Sequence, residues 1–208
     1  MKAIHEVKHP LMLDKISRLR DKAMGTSKFR QLIQQVSTIL AVESTAHCRL
    51  KETTVATPLE KTTGHRISSE IVLVPILRAG LGMVDGFLNL LPEAKVGYLG
   101  VYRNEQTLEP VTYYENLPVK LDGAEIFVLD PMLATGGSAD YCLSLIKNHG
   151  GENITLVTVI SSPEGVEKIN QNHPGIKIVT GCLDRELNEY GYILPGLGDA
   201  GDRLNGTF

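Results

Sequence analysis

Residues 125–146 read EIFVLDPMLATGGSADYCLSLI, and this stretch decides the fold. A near-continuous apolar run without alternation is how a strand covered on both faces reads, and here it stops on an acid, Asp130. Thr135, Gly136, Gly137 and Ser138 then open a helix expected over residues 138–149, ended by Gly150 and Gly151. In an open α/β sheet, ligands bind beyond the carboxyl ends of the strands, where the next helix offers unpaired N–H groups to an anion. The stretch therefore predicts a phosphate cradle made of backbone amides and the hydroxyls of Thr135 and Ser138. Its loop holds no Lys or Arg, which excludes a kinase or ATPase of the G-x-x-x-x-G-K-[ST] type. A plain helix-capping turn would explain Ser138 and the glycines, but not the strand-end acid or the run of polar donors.

Working outward, similar apolar runs lie at residues 71–77, 96–102, 154–160 and 176–184, with helical stretches at 81–91 and 163–173. Strand and helix alternating in this way imply an α/β fold, a doubly wound, Rossmann-like parallel sheet with flanking helices. Two amphipathic helices, residues 10–24 and 29–40, open the chain, Thr26 or Ser27 capping the second. Residues 52–59 read as an alternating strand. A polar turn at 104–110 between apolar segments predicts a projecting hairpin arm over about residues 96–118. The last stretch, from Tyr190, is too rich in glycine for a regular element. It is expected to pack with the N-terminal helices as a cap over one sheet edge, giving one domain over residues 1–208.

With 208 residues, 42% of them hydrophobic, the chain can bury a substantial core, which excludes a disordered tail. The formal net charge of -3 leaves no overall basic field for a nucleic-acid backbone. Cys48, Cys142 and Cys182 are widely spaced, so neither a disulfide framework nor a zinc site is indicated, and the six histidines fall in no ligand spacing. The longest apolar run, residues 71–77, is far short of the roughly 20 residues a membrane helix needs, and no leader is evident. A cytoplasmic protein without a membrane partner is expected.

Three further stretches could carry chemistry. In VLVPILRAGLGMVDG a strand runs into Arg78, whose guanidinium suits a bidentate phosphate or diphosphate clamp. Gly80, Gly82 and Gly86 with Glu105 also approach a dinucleotide fingerprint, so an oxidoreductase is a competing reading. The arm offers Tyr102, Arg103, Asn104, Tyr113 and Tyr114. Residues 193–202, ILPGLGDAGD, combine glycines that let backbone approach a flat ligand with the carboxylate of Asp199, in a spacing unlike a calcium loop.

Strand, acid and T-G-G-S opening a helix resemble the PRPP-binding signature of the phosphoribosyltransferases. PILRAGLGM, VYRNEQT, DPMLATGGSA and YILPGLGDAGDR, in this order across nearly the whole chain, are similar to the uracil phosphoribosyltransferases in particular. The resemblance implies a type I phosphoribosyltransferase fold and transfer of a phosphoribosyl group from 5-phosphoribosyl 1-diphosphate (PRPP) to uracil, giving UMP and diphosphate with magnesium (Mg2+). By it, Asp130, Pro131, Met132, Leu133, Ala134, Thr135, Gly136, Gly137 and Ser138 hold the 5-phosphate and ribose. Arg78 and Arg103 hold the diphosphate, and Ile193, Gly198, Asp199 and Ala200 hold uracil. Many relatives in the wider superfamily carry acids where this chain has Pro131 and Ala134, which leaves Asp199, also near PRPP, as the catalytic candidate beside the two arginines. A homo-oligomer, dimer or larger, and activation by GTP in some members are also implied. A phosphoribosyltransferase for another base, and a non-catalytic nucleotide sensor acting on RNA, are the alternatives.

Overall fold

The computed structural model describes residues 4–103 and 110–207, without the side chains of Arg103 and Pro110. In chain order its elements are β1 (Ile4–Glu6), α1 (Pro10–Leu19), α2 (Thr26–Thr45), β2 (Leu50–Ala56), β3 (Lys61–Ile67), β4 (Ile71–Leu77) and α3 (Leu81–Leu88). There follow β5 (Lys95–Val96), β6 (Tyr98–Arg103), β7 (Pro110–Asn116), β8 (Glu125–Leu129), β9 (Met132–Leu133) and α4 (Gly137–Asn148). The remainder are β10 (Asn153–Ser161), α5 (Pro163–Asn172), β11 (Lys177–Leu183), β12 (Glu186–Leu187), β13 (Ile193–Leu194) and α6 (Ala200–Asn205).

The main sheet runs β1-β11-β10-β8-β4-β6-β7, with β5 beside β4 and β9 beside β10. Its pairings are parallel except the β6–β7 hairpin, the expected arm, whose turn at residues 104–109 lies outside the described residues. The period-two pleat divides the apolar strands between two cores. Leu73, Phe127, Leu129, Val157 and Val179 face α1, α2 and α3, whereas Val72, Val74, Ile126, Val128, Leu156 and Ile178 face α4 and α5. Each fully buried side chain of this kind contributes about 1.5–3 kcal/mol, which is why the uninterrupted Val/Ile/Leu runs sit in the middle of the sheet.

The helix after β4 lies on one face and the helix after β8 on the other, while β4 and β8 are neighbours. Their carboxyl ends thus form a topological switch point, the place where open α/β sheets bind ligands. Arg78 follows one strand and Asp130 the other.

Three expectations are corrected. The strand at 52–59 is a free-standing hairpin, β2 with β3, its turn closed by Thr57 N–H donating to Glu60 O at 2.9 Å. β3, KTTGHRI, is exposed along most of its length, so no hydrophobic alternation announces it. The glycine-rich C-terminal stretch contains α6, capped by Asp199. The N-terminal helices and this stretch do pack together, but over a face of the sheet; the edge is taken by β1 against β11. No helix among the described residues is long and apolar enough to cross a membrane.

Candidate active site

The loop after β8 is braced from behind. Pro131 is buried, and its carbonyl accepts the N–H groups of Val159 (3.1 Å) and Ile160 (3.0 Å). Ser162, the N-cap of α5, donates its hydroxyl to Ala134 O at 2.6 Å while accepting Gly165 N–H at 2.9 Å. A Cβ on Gly165 would collide with Ala134 O and stand 2.9 Å from Leu133 O, so only glycine lets α5 approach this closely. Gly136, at φ 75°, makes the left-handed turn that delivers the chain into α4.

The α4 N-terminus has no side-chain cap. Its first backbone bond is Asp140 N–H to Gly136 O at 2.9 Å, which leaves the N–H groups of Gly137, Ser138 and Ala139 without an intrahelical acceptor. A capping turn does not describe this loop. The uncapped amides open onto a depression of about 90 Å³ lined by Asp130, Met132, Leu133, Ala134, Thr135 and residues 136–139. Asp130 is half-buried there; loss of water pushes its pKa up to about 7, and donation from Met132 N–H at 3.3 Å opposes this only in part.

Met132 and Ala134 also wall a second, adjoining cavity of about 300 Å³. Arg78 and Ala79 form one side of it, and Tyr192, Ile193 and residues 198–201 the other. The structure thus gathers Arg78 and all four expected base contacts, Ile193, Gly198, Asp199 and Ala200, around one space beside the uncapped helix start. Arg78 follows a cis Leu77–Arg78 peptide and is well exposed, with Asp202 Oδ1 3.7 Å from its Nη2. Asp199 Oδ1 accepts Asp202 N–H at 2.9 Å as the cap of α6, and its other oxygen is left for the cavity. Pro131 lines neither depression. Arg103 ends β6, one strand beyond β4, and its side chain lies outside the described residues.

Sequence reasoning did not find the groups that hold the glycine-rich loop after β13. Arg20 donates to both carboxylate oxygens of Asp184 (2.9 and 2.5 Å) and to Gly196 O (2.9 Å), while Asp184 also accepts Gly196 N–H at 3.0 Å. The Asp184 carboxylate raises the Arg20 pKa further. Arg203 lies 4.2 Å over the Phe29 ring and donates to Leu19 O, Leu197 O and Asp21 O at 2.6–2.7 Å, tying α6 to the first two helices. Burial lowers its pKa, Asp21 opposing.

Gly82 and Gly86, which suggested a dinucleotide fingerprint, serve packing. A Cβ on Gly82 would press on Leu204 of α6 at 2.9 Å, and one on Gly86 on the α2 backbone at Gln34 O, 2.6 Å. The fold does bring His47, Cys48 and Glu125 within 4.8 Å of one another, a grouping invisible in the sequence spacing. Glu125 begins β8, so this trio is at the opposite end of the sheet.

A parallel sheet with an acid at the end of a central strand, an uncapped helix start beyond it and a glycine-rich loop closing a cavity alongside defines the type I phosphoribosyltransferase class. A family model described as uracil phosphoribosyltransferase matches residues 6–207. The chain belongs to that family. It is 52% identical over 202 residues to a protein of Thermosipho melanesiensis named uracil phosphoribosyltransferase, covering 97% of each chain. A solved structure of a protein from Aquifex aeolicus superposes with a TM-score of 0.93 at 39% identity, covering 98% of both chains. A hypoxanthine-guanine phosphoribosyltransferase from Bacillus anthracis, at TM-score 0.52 and 10% identity over 76% of this chain and 80% of that one, shares the fold.

Proposed function

We propose that the protein transfers the phosphoribosyl group of PRPP to uracil, releasing diphosphate and forming UMP. The observation that carries this reading is the shared wall of Met132 and Ala134, which sets a phosphate-sized depression with three free amides directly beside a cavity for a flat ligand. The 5-phosphate would take the N–H groups at the start of α4, and the ribose hydroxyls the carboxyl of Asp130. Arg78 would clamp the diphosphate in bidentate fashion. In the reaction the anomeric carbon–diphosphate bond breaks, the bond to the uracil ring nitrogen forms, and the proton of that nitrogen passes to solvent water while the bonding electron pair leaves with diphosphate.

The residues here suit a hard cation that brings much of its oxygen shell from the substrate. Among the described residues, Asp130 lines one cavity and Asp199, with one oxygen not used in its helix cap, lines the other, and magnesium is commonly held by one or two carboxylates plus substrate phosphates. When bound, magnesium would neutralise charge developing on the diphosphate. The backbone of residues 198–201, which lines the cavity, would read uracil by its carbonyls and N–H groups, which favours uracil over bases bearing an added methyl or amine. The resemblance also implies a cytoplasmic homo-oligomer and, in some members, activation by GTP; sedimentation and turnover with and without GTP test both.

Incubation with PRPP, magnesium and, separately, uracil, cytosine, hypoxanthine, guanine and xanthine is expected to give UMP and diphosphate from uracil. No product from uracil overturns the proposal, and product from another base reassigns the substrate. For Asp199, asparagine keeps the helix cap, since Asn and Asp cap equally well. Asp199→Asn is therefore expected to melt close to the wild type while turnover falls roughly 100-fold, the scale of a lost acid–base or orienting carboxylate. Unchanged turnover would remove Asp199 from the chemistry.

A further inference from the structure

The phosphate loop has no cation of its own, yet it has to hold a dianion. The close approach of α5, permitted by Gly165, carries the next turn of that helix past the loop. A Cβ built on Gly136 would lie 3.5 Å from the Lys168 Cβ, and one built on Gly137 4.0 Å from the Lys168 Nζ. Lys168 therefore stands with its ammonium beside the first residue of α4, next to the uncapped amides.

We propose that Lys168 supplies the missing cation, binding the 5-phosphate from α5 while the α4 amides bind it from the loop. This rests on the phosphoribosyl-transfer reading above. Asp140 is the nearest described anion, and it is largely committed elsewhere: its Oδ1 lies 2.9 Å from His173 Nε2 and accepts Asn172 Nδ2 at 3.0 Å. Its Oδ2 is 3.9 Å from the Lys168 Nζ, too far for a hydrogen bond, so the carboxylate positions the ammonium and leaves its N–H groups for a ligand. The Lys168 side chain is 41% exposed, with room to swing the short distance onto a phosphate oxygen. A lysine ammonium is a flexible point charge and needs no fork geometry to serve a tetrahedral anion.

The test compares wild type, Lys168→Ala, Lys168→Arg and Asp140→Asn, in turnover and in calorimetric binding of ribose 5-phosphate. For Lys168→Ala, KM for PRPP and Kd for ribose 5-phosphate are expected to rise about tenfold, the worth of one charge-assisted hydrogen bond. Turnover at saturation should stay within about twofold, and inhibition by free diphosphate should not move, because diphosphate belongs at the Arg78 end. Lys168→Arg is expected to recover most of the affinity, and Asp140→Asn to bind as tightly as wild type or tighter. The proposal is overturned by unchanged ribose 5-phosphate binding in Lys168→Ala, by an equal loss of diphosphate inhibition, or by Asp140→Asn reproducing the alanine variant. The last result would make Lys168 a tether between α4 and α5. Wild-type turnover of uracil reads the underlying function separately; if it fails, the ribose 5-phosphate titration still decides the role of Lys168.

Discussion

Replacing Asp130 with asparagine is expected to raise the melting temperature of the ligand-free protein at pH 8 while removing most of its turnover. The carboxyl titrates at about 7 in the folded protein against an ordinary 3.8, so folding disfavours its charge. A raised acid contributes its stability below pH 3.8 and loses it as the pH climbs to about 7; above that the full penalty is present. Three units correspond to at most about 4 kcal/mol, and a chain of this size gains roughly 2–4 °C per kcal/mol. Asparagine keeps the acceptor for Met132 N–H and carries no charge to desolvate. Melts from pH 4 to pH 8 should show the gap between variant and wild type opening through this window. A gap that stays flat with pH removes the titrating carboxyl from the account. Turnover should fall on the order of 100-fold, because under the proposed role a carboxylate that would accept ribose hydroxyls becomes a weaker, half-donating amide.

Arg20→Ala carries the other large effect. The Asp184 side chain is only 3% exposed, and its charge is balanced by the Arg20 fork. Removing the arginine strands a buried carboxylate, which costs about 3–5 kcal/mol and should lower the melting temperature on the order of 10 °C. The loss should appear in function as a selective rise in KM for uracil, because Gly196 is held through both its N–H and its carbonyl by this pair. Lys at position 20 should recover only part, a point charge being unable to span both oxygens. Arg20→Ala combined with Asp184→Ala should regain much of the stability, since neither charge is then left alone, but little of the uracil affinity. Denaturant unfolding and paired KM measurements check both. Equal shifts in the two KM values would mean that the clasp does not act on the base loop.

The fold was legible where burial had imposed its composition on the chain. IVLVPIL and EIFVL, buried on both faces, had to be nearly all apolar, and the strand-end position of Arg78 and Asp130 followed from them. β3 was not legible because solvent on both sides leaves Lys, Thr, His and Arg free to occupy a strand. α6 was hidden by Gly201 and Gly206, although Asp199 as cap and Gly206 as left-handed stop were on view. Lys168 reads as an ordinary surface residue of an amphipathic helix; only the contact of α5 with the phosphate loop gives it a neighbour. Arg20 and Asp184 lie 164 positions apart in regions of unremarkable charge, and no local pattern joins groups that meet only in the finished fold.

The clasps formed by Arg20 and Arg203 also impose an order on the making of the molecule. Residues 4–183 lay down the sheet, and a ribosome releases the groove at the ends of β4 and β8 well before it reaches Arg203. Until then the carbonyls of Leu19 and Asp21 and the ring of Phe29 lack the guanidinium that joins them, and the cavity beside Arg78 has no outer wall. A chain that has formed only the sheet and its first helices can therefore carry the loop after β8 in place while the cavity beside Arg78 still lacks the wall that residues 198–201 supply.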